Sequence, residues 1–199
     1  MAIIVGILVA PIILVDNWKV LYEDLLKQLT EKVRSIREEV IGKMNKDVEF
    51  RKYITQQDLI KYLNGEKNTV TGFIARDCDA NVLVDYNEVF NSLRLDYPNT
   101  AYNSAVDDSL GVIPYTTCET SKIEIPFSSQ FGGTATGEPP FTGNGFTKAT
   151  NGQIIPEYRC TSFSKINDGA QLIKIGKDGT EKIVAVYDVD FGRFVSVEK

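Results

Sequence analysis

The 199-residue sequence predicts an α+β fold: an N-terminal long amphipathic helix and a short helix, followed by a largely antiparallel, β-rich half. An apolar stripe at steps of three and four over residues 17–44 predicts the long helix. Short alternating segments after residue 68, and the turn sequence at residues 177–179, predict antiparallel strands. We divide the chain into residues 1–67 and residues 68–199, and expect them to form one compact unit.

The N-terminal residues 2–15 are apolar without interruption. A bilayer-spanning helix needs about 20 such residues, and Asp16 and Asn17 end this run early. Neither a basic leader nor a small-residue cleavage site is evident. We therefore expect a buried strand, or an insertion into a protein partner, and consider a membrane span disfavoured.

Residues 17–44 follow with helical periodicity, and Asp16 can cap the helix. The stripe consists of Trp18, Leu21, Leu25, Leu29, Val33, Ile36, Val40 and Met44. Charged and amide side chains occupy the other faces, so the stripe is typical of a helix packed on its own domain. A shorter helix is predicted over residues 55–63, with Thr55 as its cap and Asn64-Gly65 as its stop.

The remaining elements are predicted from alternation and turn residues. We expect a helix over residues 85–93 and strands over residues 69–74, 110–117, 122–127, 153–163, 171–175, 181–186 and 193–197. Residues 126–152, rich in Gly, Thr and Pro, form a predicted loop far longer than the usual 4–6 residues or so. Loops of this length are often functional, and this one could order on a protein partner.

Composition excludes several functions. The sequence contains no histidine, which rules out Ser-His-Asp and Cys-His catalysis and His-ligated zinc. A net charge of −5 argues against nucleic acid as a partner, because phosphate binding needs a basic surface. Three cysteines leave at least one unpaired, which suits a reducing compartment. We expect a cytoplasmic or particle-associated protein. Secretion as an effector is also compatible with the sequence.

One local pattern resembles a calcium loop of the EF-hand type. Such a loop takes oxygen ligands from positions 1, 3, 5, 9 and 12, and the sequence supplies Asp77, Asp79, Asn81, Asp85 and Glu88 there. Position 6, which is glycine in that loop, holds a β-branched valine instead. The alternative is a polar turn that leads into a helix capped by Asp85.

A second pattern extends over the β-rich half. An early arginine, Arg76, a central pair, Thr116 and Thr117, and a late glutamate, Glu157, follow one another at intervals of about 40 residues. This order resembles that of ADP-ribosyltransferase domains of bacterial toxins and phages. The resemblance implies that Arg76 binds the phosphates of NAD, the threonines brace the pocket, and Glu157 stabilises the developing ribosyl cation.

The same resemblance implies that Phe141, Phe146 and Tyr158 form aromatic walls for nicotinamide. Each residue also has a structural alternative. Arg76 would form an ion pair with a neighbouring aspartate, and the two threonines would reflect the strand propensity of that residue type. Glu157 would be solvated.

Three functions therefore stay open from the sequence. The first is an NAD-dependent ADP-ribosyltransferase or NAD glycohydrolase, acting as an effector or toxin domain. The second is a non-enzymatic structural protein of a phage, virion or injection particle, whose apolar N-terminus or long loop contacts a protein partner. The third is a Ca²⁺-binding interaction module.

Overall fold

The computed structural model describes residues 45–126 and 147–197, except residues 98, 148, 150 and 154, together with four isolated positions nearer the N-terminus. The chain divides into two units, Met1–Lys43 and Met44–Lys199. In the first unit the structure describes four residues, Val20, Leu21, Asp24 and Ser35, which are helical and exposed. The architecture that follows is that of the second unit.

The second unit is built on one antiparallel sheet shaped as a half-barrel, in which eight strands are described. The strands are β1 (Phe50–Ile54), β2 (Thr69–Arg76), β3 (Ser109–Tyr115), β4 (Ile123–Glu124), β5 (Tyr158–Lys165), β6 (Gln171–Gly176), β7 (Glu181–Asp188) and β8 (Arg193–Ser196). Their order across the sheet is β4-β5-β2-β1-β3-β6-β7-β8. The first strand in sequence therefore lies near the middle of the sheet.

The predicted α+β class is wrong for this chain. Strands hold 38% of the described residues and helices 20%, so the fold is mostly antiparallel β with few helices. The long amphipathic helix predicted over residues 17–44 is not seen, because that segment lies outside the described residues apart from four isolated helical positions. The periodicity of those residues is a local property, and fold class depends on how much of the chain enters the sheet.

Three short α-helices accompany the sheet: α1 (Gln56–Leu63), α2 (Asp77–Ala80) and α3 (Tyr86–Ser92). The predicted helix over 55–63 is confirmed as α1, since Thr55 Oγ1 accepts a hydrogen bond from the main-chain N–H of Asp58 at 3.0 Å. It ends at Leu63 with Asn64 as its C-terminal cap, and Gly65 follows with a φ of +74°. Its Leu59 side chain lies beside β3, so α1 belongs to the same unit as the sheet.

The predicted helix over 85–93 is confirmed as α3. Asp85 caps it by accepting hydrogen bonds from the main-chain N–H groups of Asn87 and Glu88. Helix α2 was not predicted; it is a single turn directly after β2.

Most predicted strands are confirmed, and their boundaries differ from the predicted ones by at most two residues. Strands β6 and β7 form the predicted hairpin, whose turn contains Gly179 at a φ of +81° and Asp178, which accepts from Thr180 N–H. Strands β2, β3 and β8 occupy the segments predicted for them.

Three strand predictions need correction. Residues 122–127 contain only the two-residue strand β4, preceded by a 3₁₀ turn at Thr120–Lys122. Strand β5 begins at Tyr158 rather than at residue 153, because Pro156 has no N–H for a ladder and makes only an isolated bridge. Strand β1 was not predicted at all. The long loop predicted over 126–152 lies mostly outside the described residues.

Both faces of the sheet bury apolar side chains. One face carries Phe50, Tyr115 and Tyr158, whose rings lie about 6 Å apart, with centroid distances of 6.1 and 6.2 Å. The opposite face packs against the segment of α2, α3 and the residues after them. Its buried cluster includes Tyr53, Ala75, Leu83, Val89, Leu95, Leu110, Val112 and Ile173.

Candidate functional site

The candidate site begins where β1 and β2 separate. The two strands pair at only two positions, Phe50 with Arg76 and Arg51 with Ala75, whereas β1 pairs with β3 along its whole length. On its other side β2 pairs with β5, and the register shifts next to Gly72, which has a φ of +78°. Because a bulge bends and twists its strand, β2 turns away from β1 and the sheet opens between them.

Two side chains satisfy main-chain carbonyls at this opening. The amine of Lys52 donates to the carbonyl oxygen of Phe73 across the gap, with an Nζ–O distance of 3.0 Å. The hydroxyl of Tyr102 donates to the carbonyl oxygen of Tyr53 at 2.8 Å. Main-chain carbonyls need partners whether or not a neighbouring strand supplies them, so these side chains stabilise the separated strands.

A cavity of about 210 Å³ lies at the opening. Most of its wall is aromatic or aliphatic, contributed by Tyr53, Phe73, Leu93, Leu95, Tyr97 and Tyr102. Two lining residues carry ionisable groups other than tyrosine: Lys52 and Glu157. An apolar cavity of roughly 150 Å³ is enough to hold benzene, so this one accommodates a single-ring molecule with a substituent.

Glu157 supplies the polar group that the cavity wall leaves unpaired. Its side chain is only 6% exposed, and among the described residues its Oε2 atom has no hydrogen-bond partner. Burial away from water disfavours the carboxylate and raises the pKa of Glu157 to about 8. At neutral pH this side chain is therefore a carboxylic acid, with an O–H that can donate a hydrogen bond.

The pKa of Lys52 is shifted in the opposite direction. Desolvation disfavours its ammonium form and lowers the pKa of Lys52 to about 8. The cavity thus contains an acid and an amine that change charge in the same pH range, near neutrality. Each group can therefore hold a polar substituent of a ligand or exchange a proton with it.

Arg76 does not share this cavity with Glu157. Its guanidinium makes two hydrogen bonds to the carboxylate of Asp79, at 2.7 and 3.0 Å, and lies 5.7 Å from the ring centroid of Tyr158. Arg76 pairs with Phe50 and lies on the Phe50 face, whereas Glu157 and Ala75 line the cavity on the other face. The alternative of an ion pair with a neighbouring aspartate is the arrangement that the structure has.

The threonine pair is engaged elsewhere. Thr117 is buried, and its hydroxyl lies 3.0 Å from that of Ser164. The hydroxyl of Thr116 accepts from the side-chain amide of Asn167 at 2.7 Å. Thr116 lines a second, polar cavity of about 270 Å³, to which Glu157 does not contribute.

Of the three aromatic residues expected around nicotinamide, Phe141 and Phe146 lie outside the described residues. Tyr158 is buried on the Phe50 face, in contact with Arg76 rather than with the cavity. The structure therefore brings together Arg76 and Tyr158 from the predicted NAD site, and places Glu157 apart from both.

The five predicted calcium ligands are likewise divided among separate contacts. Asp77 pairs with Arg51 at 2.5 Å and Asp79 with Arg76. Asp85 caps α3, and Glu88 accepts from the main-chain N–H of Val84. Asn81 ends α2. Within the part of the chain that the structure describes, no group of three or more Cys, Asp and Glu side chains could hold a metal ion.

Sequence reasoning missed Lys52 and Tyr102. Lys52 lies on β1, whose five residues alternate too weakly to indicate a strand, and Tyr102 lies in the irregular segment before β3. A signal was available in Gly72, since a glycine inside a strand pattern often marks a bulge or a close approach.

No family model, curated protein or solved structure matches this chain. Among the described residues, no helix has both the length and the apolar character needed to cross a membrane.

Proposed function

We propose that the protein binds a small organic molecule in the cavity between β1 and β2. The observation that carries this proposal is the carboxyl of Glu157, which is buried against apolar walls and whose Oε2 atom has no hydrogen-bond partner among the described residues. Leaving a buried polar group without a partner costs about 1–3 kcal/mol. A ligand that accepts a hydrogen bond from this carboxyl recovers that cost, and its apolar body gains contact with the wall.

The cavity has the features of a ligand-binding pocket. The apolar wall excludes water, while a small number of polar groups fix the orientation of a bound molecule. Phe73 is 38% exposed, so one wall of the cavity reaches the surface and gives a route of entry.

Benzamide tests this proposal, because it has one ring and a carbonyl that accepts a hydrogen bond. We expect saturable shifts of main-chain amide resonances at residues that line the cavity. Ala75→Leu fills the space from the wall, and should abolish the shifts. Val106→Leu, at an exposed position away from the cavity, is the matched control and should leave them unchanged. Shifts that do not saturate, or that survive in Ala75→Leu, would contradict the proposal.

The functions predicted from sequence stay predictions. Turnover of NAD by Arg76 and Glu157 would need the two groups to meet, and the test is release of nicotinamide from NAD. A protein partner at the apolar N-terminus or the long loop also stays a proposal, as does Ca²⁺ binding at residues 77–88. A rise in melting temperature with added Ca²⁺ is the outcome that would support the calcium site.

A further inference from the structure

The buried carboxyl of Glu157 lacks a cation to pair with among the described residues. Burial raises its pKa, and no charged side chain of the described residues contributes to that shift. The amine of Lys52, on the wall of the same cavity, donates instead to the main-chain carbonyl of Phe73. The ionisable groups that influence the Lys52 amine are Asp58, Lys67 and Cys160. Because buried charges in proteins are paired, this carboxyl favours a ligand that carries the missing cation.

The strand register places Glu157 on the same face as the aromatic wall of the cavity. Phe73 on β2 pairs with Arg159 on β5, and Glu157, two residues before Arg159, therefore lies on the face of Phe73. Tyr53 lies on this face too, in the buried cluster that includes Ala75. A molecule in the cavity thus meets the carboxyl and the rings together.

The aromatic wall is itself suited to a cation. Four aromatic residues line the cavity: Tyr53, Phe73, Tyr97 and Tyr102. The faces of such rings are electrostatically negative and attract cations within about 6 Å. Phe73 already shows this, because the guanidinium of Arg159 lies 5.9 Å from its ring centroid. The hydroxyls of Tyr53 and Tyr102 donate to main-chain carbonyls, so these two residues offer a ligand their rings.

Resting on the proposed binding function, we propose that the ligand is a compact amine, bound as its ammonium ion between the Glu157 carboxyl and the aromatic rings of the wall. The cavity volume of about 210 Å³ limits its body to about one ring. An alkylamine is protonated at neutral pH, as the lysine side chain is. Its N–H groups donate to the carboxylate, and such charge-assisted bonds are roughly twice as strong as neutral ones.

Binding as an ion pair displaces the proton of Glu157. With a pKa of about 8, the free carboxyl holds about nine tenths of a proton at pH 7. A cation close to a carboxyl lowers its pKa by about 1–3 units, so the complex contains a carboxylate and an ammonium, and the proton passes to the buffer. We expect release of about 0.4 proton or more per bound amine at pH 7. A neutral ligand that accepts a hydrogen bond from the acid releases none.

Other groups around the cavity also carry charge or titrate. Lys52 has a pKa of about 8, and burial raises the pKa of Tyr53 to about 12 and that of Tyr102 further still. Tyr97 is the other tyrosine of the wall. The charged side chains on the elements around the cavity are Arg51, Asp77, Arg94, Asp96, Glu124 and Arg159. Since Lys52 titrates in the same range as Glu157, a variant at Glu157 is needed to separate the two.

Benzylamine and benzyl alcohol test the inference, because they share a shape and differ in charge. At pH 7 we expect benzylamine to bind about fivefold or more tightly, measured as a ratio of Kd values from resonance shifts. Calorimetry in two buffers with different heats of ionisation gives the number of protons released. Glu157→Gln should bring the ratio close to one and abolish the release. Glu119→Gln, at a carboxylate bound to Lys122 outside the cavity, is the matched control and should preserve both.

A pH series on the unmodified protein is the second measurement. Between pH 6 and pH 8 the affinity for benzylamine should rise about fivefold or more, because less proton remains to be displaced. The affinity for benzyl alcohol should fall by up to about half over the same range, since it needs the acid form of Glu157. In Glu157→Gln the rise for benzylamine should become smaller, because only Lys52 then titrates in the range.

A pair of substitutions at Tyr97 tests the contribution of the rings. Tyr97→Phe keeps the ring and should preserve the preference for benzylamine. Tyr97→Leu keeps an apolar wall without a ring, and should reduce the preference about two- to fivefold. A preference that is the same in both variants would contradict the role given to the rings.

Each contrary outcome has a distinct meaning. Benzyl alcohol binding as tightly as benzylamine at pH 7 would overturn the amine inference and leave the binding function standing. Benzylamine binding without proton release, or with an affinity that does not rise up to pH 8, would also overturn it. Both of these measurements use the unmodified protein, so they decide the question even if Glu157→Gln does not fold. Binding of neither compound, nor of benzamide, would remove the proposed function together with the inference.

Discussion

Replacing Glu157 by glutamine should make the fold more stable as the pH rises, relative to the unmodified protein. The pKa of Glu157 is about 8 in the folded chain, against an ordinary value of 4.5. Between these two values the folded state holds a proton that the unfolded state has released. The unmodified protein therefore loses stability with increasing pH in that window, and glutamine, which does not titrate, removes the loss.

The magnitude follows from the difference in pKa. One pH unit corresponds to about 1.4 kcal/mol, so the free energy of unfolding of Glu157→Gln relative to the parent should rise by about 4 kcal/mol between pH 5 and pH 8. Below pH 4.5 the two proteins should keep a constant difference, because both states of Glu157 are protonated there. Above pH 8 the difference should again be constant, at its largest value.

Urea denaturation followed by circular dichroism, at half-unit steps from pH 4 to pH 9, measures this difference. The denaturant dependence should be the same for both proteins, which would show that the substitution leaves the folded and unfolded states equally compact. Glu119→Gln serves as the control: that carboxylate is bound to Lys122 and the main chain, so its substitution should not produce a stabilisation that grows with pH. Parallel stability curves for Glu157→Gln and the parent would refute the reasoning, since they would mean that Glu157 ionises normally.

Three further substitutions test the structure around the site. Tyr102→Phe removes the donor to the Tyr53 carbonyl and should cost about 1–2 kcal/mol in urea denaturation, with an unchanged midpoint as the contrary result. Thr55→Ala removes the cap of α1 and should cost about 1 kcal/mol, whereas Thr55→Ser should cost much less. Gly111→Ala places a Cβ atom 2.7 Å from the Ile54 side chain and should lower stability by about 1–3 kcal/mol; combining it with Ile54→Val should recover part of that loss, and additive effects would show that the contact is not the cause.

Elements whose determinants lie within a few residues of one another could be predicted from the sequence. Helix α1 begins at a capping threonine and ends before Gly65, and both signals are local. The hairpin of β6 and β7 is defined by alternation and by the turn at Asp178 and Gly179. In each case hydrogen bonds between near neighbours decide the structure, and the sequence contains all the participants.

Strand β1 shows why the fold class could not be predicted. Its residues Phe50–Ile54 include two adjacent cations, and it becomes a strand because β3 pairs with it along its whole length. Those partners are distant in the chain, so no local pattern records the pairing. Once β1 joins β2 to β3, the strands form a continuous sheet, and the protein is mostly β rather than α+β.

Of the residues that line the candidate site, Glu157 alone was selected as a site residue from the sequence. Glu157 was selected from its position late in the β-rich half, but its surroundings depend on a bulge at Gly72 and on the face that each strand turns to the core. A shift of one residue along a strand moves a side chain to the other face, and that is the relation between Glu157 and Tyr158. The sequence offered no means of placing Lys52 and Glu157 on the wall of the same cavity, because the cavity forms where two strands separate.

The central claim is that Glu157 is a neutral carboxylic acid at physiological pH, inside an apolar cavity. A titration of the side-chain carboxyl carbon of Glu157 by ¹³C NMR, assigned by comparison with Glu157→Gln, measures this directly. The account predicts a single transition with a midpoint near pH 8. A midpoint between pH 4 and pH 5 would show a solvated carboxylate and would contradict the account.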